Sequence, residues 1–203
     1  MSAKATTSGD GGWKVVPSTD YNFGTNDFTV EAWVYNNSQS LDGSHRYIMD
    51  WNTSIGSRLS IAFNTGECWF GDTMYNGGFR PSSGFNSVNG LASGTWTHWA
   101  FVKESGNLVL YFDGHRQATY SDSLSYNFES QSNAVMSFGQ RHGSDTNSNM
   151  VDMHHQEIRV SNNARYSGAT YTIPTAQFPT TVETTSATGN FLCPAITASS
   201  TSS

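Results

Sequence analysis

The sequence predicts an all-β domain, a sandwich or barrel, on three observations. Aromatic residues make up 13% of the 203 residues, charged residues only 13%, and Gly, Ser, Thr and Asn are abundant among the rest. Gly and Asn supply the positive φ angles of tight turns, and in helix interiors they cost backbone entropy or compete for backbone hydrogen bonds. Short apolar runs recur between these turn residues, and no stretch sustains a 3.6-residue period. The length suits one domain with a sizeable core.

Each element follows in chain order. Residues 1–12 are polar and Gly-rich and form an N-terminal arm. WKVVP (13–17) is a short strand stopped by Pro17, and YNFGTND is a turn. FTVEAWVY (28–35) is the strongest strand. It places Phe28, Val30, Ala32 and Val34 on one face and Thr29, Glu31, Trp33 and Tyr35 on the other. A strand with large apolar groups on both faces lies in a sheet covered on part of each face. Trp33 and Trp99 are therefore expected in the core. Strands follow at 46–51, 58–63 and 67–71. The segment 72–94 is too long for a hairpin turn and reads as a functional or packed loop. WTHWAFV (96–102) and LVLYFDG (108–114) form a hairpin with Gly106-Asn107 at its turn, and HRQATY (115–120) pairs onward past Asp113-Gly114. AVMSFG (134–139) and MVDMHHQEIRV (150–160) complete the strands of a domain spanning 13–180. Residues 181–203 are a Ser/Thr-rich C-terminal arm, which composition alone leaves unstructured.

Charge and composition exclude several classes. The net charge is −6 and no cluster of four basic residues occurs, which argues against phosphate neutralisation and nucleic-acid binding. No apolar run approaches the ~20 residues of a membrane-spanning helix. MSAKATTSGDGG carries no hydrophobic segment, so folding in a cytoplasm is expected. The two cysteines, Cys68 and Cys193, are expected as buried thiols rather than a disulfide.

DFTVEAWVY, GTWTHWAFV, LVLYFDG, SFGQ and QEIRVSNNARYSGATYTIPTAQF occur in that order. Together they resemble the concanavalin A-like, laminin-G-like jelly-roll superfamily, and within it a phage and bacterial branch. The resemblance implies a two-sheet antiparallel jelly-roll sandwich, a fold that hosts lectins, glycanases, adhesion modules and virion proteins. Two departures stand out. Gln156-Glu157 replaces the family's Asp-Glu pair on the last strand, and Met153-His154-His155 replaces its Gly-x-Ile. The ending NNARYSGATYTIPTAQFPT resembles phage structural proteins that carry this domain.

The chemistry-bearing residues point away from catalysis. Glycanases resembling this fold align two or three carboxylates on one strand, which aims acid and nucleophile into one cleft. Here Glu31 and Glu67 each stand alone, and period two puts Asp152 and Glu157 on opposite faces. No Gly-x-Ser-x-Gly elbow occurs. His154 and His155 point to opposite faces and cannot chelate one zinc together. Calcium, which the superfamily often carries on loops, would draw on Asp50, Asp72, Asp145 and Asp152, but no compact Asp-x-Asp-x-Asp loop is present. His98 and Glu31 are expected as buried structural groups, and Glu31 must find donors because an unpaired buried carboxylate costs several kcal/mol. Tyr75, Phe79, Arg80 and Phe85 in the 72–94 loop, with Trp51 and Asn52, are the candidate glycan- or partner-binding residues. In the tail, Phe191, Leu192 and Ile196 form an apolar cluster among Ser and Thr, either an assembly anchor or a cover for the domain's own edge strand.

The expectation is a non-catalytic phage virion structural protein that decorates or cements the capsid shell, in many copies and in contact with other virion proteins. The alternative is a carbohydrate-binding adhesin on a tail or other surface. Neither requires a nucleic acid, a membrane or a cofactor, calcium excepted.

Overall fold

A computed structural model of the chain describes residues 3–5, 13–15, 21–37, 46–52, 58–64, 67–71, 93–123, 125–127, 136–139, 153–176, 178 and 190–192. Its strands are β1 (Ala3–Ala5), β2 (Trp13–Val15), β3 (Asn22–Gly24), β4 (Phe28–Asn36), β5 (Arg46–Asn52), β6 (Arg58–Asn64) and β7 (Glu67–Gly71). They continue with β8 (Trp96–Glu104), β9 (Asn107–Phe112), β10 (His115–Ser121), β11 (Tyr126–Asn127), β12 (Met136–Phe138), β13 (Met153–Ser161) and β14 (Asn190–Leu192). No α-helix occurs among the described residues.

Two antiparallel sheets form the sandwich. One runs β1-β13-β4-β8-β9-β10, with β14 also on β13, and the other runs β2-β12-β5-β6-β7. β3 and β11 make a small separate pair. The chain crosses between sheets from β4 to β5, returns at β8, leaves again at β12 and returns at β13. This is a jelly-roll sandwich. Phe28, Val30, Ala32, Val34, Trp99, Phe101, Leu110 and Phe112 of the larger sheet form one buried cluster with Trp51, Leu59, Ile61 and Phe138 of the smaller. Phe138 sits 6.1 Å from Trp51 and 6.5 Å from Trp99, ring to ring, and so bridges the two layers.

Turn chemistry sets the register of the larger sheet. Ser105 and Gly106 both have positive φ, 47° and 77°, and so do Asp113 and Gly114, at 44° and 76°. Two consecutive positive φ values make the tight turns whose twist matches a hairpin. The first turn therefore lies one residue earlier than the sequence suggests: Asn107 already pairs with Glu104. In β13 the register slips between Gln156, opposite Trp33, and Arg159, opposite Glu31. Two steps on β4 match three on β13, a bulge in which Glu157 takes φ 54°. The slip turns Arg159 to the same face as Gln156.

Both polar arms contribute a strand. β1 pairs Ala3–Ala5 with His155–Met153, and β14 pairs Asn190–Leu192 with Ser161–Arg159, along the same edge of β13. A row of unpaired backbone groups on an edge strand favours such covering. Phe191 and Leu192 of the tail cluster lie in β14, in register with Val160 and Arg159.

Candidate functional site

The outer face of the larger sheet carries the chemistry. Thr29, Glu31, Trp33 and Tyr35 of β4 point outward beside His98 and Trp96 of β8 and beside Arg159 and His154 of β13. Residues 162–178 cross one half of this face as a strap. The strap packs Ala164, Tyr166 and Tyr171 on Ala100, Val102, Val109 and Tyr111, a second apolar cluster. The predicted two-sided burial of β4 is met in this way at its Glu31 end.

Glu31 is the anchor. It is fully buried. Arg159 Nε donates to Oε1 at 2.8 Å, and the Tyr166 hydroxyl donates to Oε2 at 2.5 Å. Arg165 Nε lies 3.3 Å from Oε1 and His98 Nε2 lies 3.3 Å from Oε2. Burial pushes the carboxyl pKa up, but His98, Arg159 and Tyr166 outweigh it and hold it below its ordinary value. On the other side of the ring, His98 Nδ1 lies 2.7 Å from the Tyr171 hydroxyl. Tyr171 stacks on Tyr166 with centroids 3.7 Å apart. Burial, with the neighbouring Glu31, raises both phenols well above their ordinary range.

Further contacts fasten the strap along its length. Thr29 Oγ1 donates to the Asn163 carbonyl and accepts from the Arg165 amide. Tyr171 N donates to Gly114 O at 2.8 Å, and Arg116 N donates to Ala169 O at 2.9 Å. At the far end Glu157 Oε2 accepts the Phe178 amide at 2.7 Å, and Arg159 lies 3.7 Å over the Phe178 ring. Glu157 thus has a structural task that does not need the family's missing aspartate.

The other half of the face carries partly exposed rings. Tyr35 pairs in register with Trp96 on one side and His154 on the other. Their ring centroids lie 5.5 Å and 6.0 Å apart, with interplanar angles of 56° and 76°. Trp96 is 39% exposed, the one large exposed hydrophobic residue among the described residues, and Tyr35, His154 and Trp33 are partly exposed. Trp33 stands edge-on to His98 at 5.2 Å, so the buried network braces the open rings. Trp99 is core as expected, but Trp33 is not: it stays partly exposed on the outer face.

The sequence candidates separate. Trp51 is fully buried between the sheets and offers no ring to a ligand: its register opposite Leu59 and Met136 turns it inward. Asn52 is the last residue of β5. Tyr75, Phe79, Arg80, Phe85 and Ile196 lie outside the described residues, as do Asp72, Asp145, Asp152 and Cys193. The 72–94 loop rejoins the described fold at Ser93, which bridges to Asn36 three residues before Trp96. Cys68 is in β7, opposite Phe63. Asp50 is fully buried and accepts from the Ser60 hydroxyl at 3.0 Å; it pairs with Ser60 and Ser137 between the inward-facing Met49 and Trp51, which puts it on the outer face of the smaller sheet. No group of three potential metal ligands occurs among the described residues. His154 and His155 do face opposite ways, His154 beside Tyr35 and His155 buried against Phe138. The exposed row of Tyr35, Trp96 and His154 was missed. Its signal was present in Tyr35 and Trp96, both on outward positions of strands, but their cross-strand register is not written in either strand alone.

Solved structures share this architecture. The binding domain of paraclostridial mosquitocidal protein 1 aligns with a TM-score of 0.55 and 16% identity over 75% of this chain and 38% of that one. The binding domain of botulinum neurotoxin DC in complex with SialylT gives 0.52 and 14% over 74% and 35%. Domains LG4-5 of the mouse laminin α1 chain give 0.50 and 14% over 83% and 45%. This chain spans less than half the length of each, and at these identities the likeness is one of fold. No curated protein sequence matches the chain significantly. Residues 8–168, with Glu31, His98, Asp113-Gly114, Arg159 and Arg165-Tyr166 gathered around one strap, match the concanavalin A-like lectin/glucanases superfamily, and the chain belongs to it.

Proposed function

We propose that this chain is a non-catalytic, lectin-like binding module whose ligand is a glycan held on the outer face of the larger sheet. The carrying observation is the row Trp96-Tyr35-His154, rings exposed beside polar edges on a rigid sheet. Aromatic faces with a polar handle suit sugars, which present C–H faces and hydroxyl rims. Catalysis is disfavoured by the state of Glu31: both oxygens are engaged by donors and the side chain is sealed under the strap. Glycoside hydrolysis needs two accessible carboxyl groups across the scissile bond. The test is a glycan array probed with the purified protein and with Trp96→Ala. Binding by the first and its loss in the second support the reading; binding unaffected by Trp96→Ala removes the site, and silence on all glycans removes the function.

A second reading concerns where the module works. The strap sequence resembles phage structural proteins, and β1 and β14 of the two arms both pair along one edge of β13. That arrangement suits a module fixed by its arms to a virion, as a capsid decoration protein or tail component in many copies. Stoichiometric attachment to undecorated capsids is expected; absence of attachment to capsids and tails alike would sink it.

A further inference from the structure

The ring geometry restricts which glycan the face accepts. Trp96, Tyr35 and His154 stand on adjacent strands with neighbouring ring centroids 5.5 Å and 6.0 Å apart, so the row runs across β8, β4 and β13 rather than along one of them. The rings are not coplanar: Tyr35 is tilted 56° from Trp96 and 76° from His154. No flat ribbon can stack on all three, because a plane laid on Tyr35 is inclined steeply to both of its neighbours. A chain whose sugar faces rotate from unit to unit meets each ring in turn. We infer that the Trp96-Tyr35-His154 row is a site for a single, soluble, helically twisted glycan chain several sugars long, not for a crystalline polysaccharide surface or one terminal sugar.

This rests on the glycan reading, and the test keeps the two apart. Soluble oligosaccharides of two, four and six units, drawn from β-1,3- and α-1,4-linked glucose, are titrated calorimetrically against the full chain. Microcrystalline cellulose and free monosaccharides serve as the contrasting ligands. Affinity is expected to rise with chain length, and Trp96→Ala is expected to lower it by about tenfold, the upper end for one ring contact. Tyr35→Phe keeps the ring and is expected to change it by less than about threefold, a readout that a folding defect would not give. Sedimentation with cellulose, length-independent affinity, or binding confined to other glycans on an array overturns this inference and leaves the glycan reading standing. Failure with every glycan sinks both.

Discussion

Replacing Glu31 by Gln removes the negative charge that Arg159 and Arg165 face under the strap. A buried cation left without its partner costs about 3–5 kcal/mol, and some relief through Arg165, which is 26% exposed, places the expected loss at about 3 kcal/mol. The urea midpoint should fall accordingly; an unchanged midpoint would mean that the strap holds by packing alone. His155 behaves differently. It is buried against Phe138 with no hydrogen-bond partner for either ring nitrogen, and burial, with His154 adding, lowers its pKa from 6.5 to about 4. The unfolded chain therefore takes up this proton first as pH falls. Its contribution is complete above pH 6.5 and is lost between 6.5 and about 4, on the order of 3 kcal/mol. Urea midpoints measured from pH 7.5 to 4 should decline through that window. In His155→Leu the decline should be shallower, and equal slopes in the two proteins would rule His155 out as the cause.

At the scale of elements, the β9–β10 turn and the strap are locked together through one glycine. Gly114 has φ 76°, and a Cβ there would stand 2.3 Å from the Tyr171 carbonyl oxygen. Gly106 has φ 77° in the β8–β9 turn, but a Cβ would find its nearest atom, Asp122 O, at 3.8 Å. Gly106→Ala should cost only the left-handed penalty, about 1–2 kcal/mol. Gly114→Ala should cost that and also displace the strap, which Tyr166 and Tyr171 would report by lost near-ultraviolet circular dichroism. Equal stability losses with both spectra native would show that the strap is not seated on this turn. The strap itself was only partly legible in the sequence. Alternation in FTVEAWVY demanded cover on both faces, and Glu31 demanded donors. That Arg165 and Tyr166, some 135 positions away, would supply that cover follows only from the crossing of residues 162–178 over β4 and β8.

On the whole-molecule scale, one core joins the two sheets, with Trp51 and Trp99 on either side of Phe138. Neither sheet can keep its inner face covered without the other, so unfolding should be a single transition. Tryptophan fluorescence and far-ultraviolet circular dichroism should give coincident urea curves, and separated midpoints would show independently stable layers. Core and ring face should also separate energetically. Trp99→Ala should cost about 3–5 kcal/mol, whereas Trp96→Ala, at an exposed position, should stay within about 0.5 kcal/mol. A large loss at Trp96 would make that ring a packing element and withdraw it from the candidate site.

The sequence by itself determined the fold class and ten of the strands, because period-two apolar runs between Gly, Asn and Asp turns carry their own local signal. It also determined that Glu31 and His98 are structural, since burial of such groups requires partners wherever those partners sit. Four of the strands of two or three residues, β1, β3, β11 and β14, lack an apolar run long enough to show alternation and form by pairing with a neighbour's backbone. Tertiary structure alone decided that Trp51 turns inward, that Trp33 stays partly open, and that Tyr35, Trp96 and His154 stand in one row. Each of these depends on cross-strand register and on what covers a face. A bulge at Glu157 or a strap fastened at Phe178 changes both without altering the pattern within any single strand.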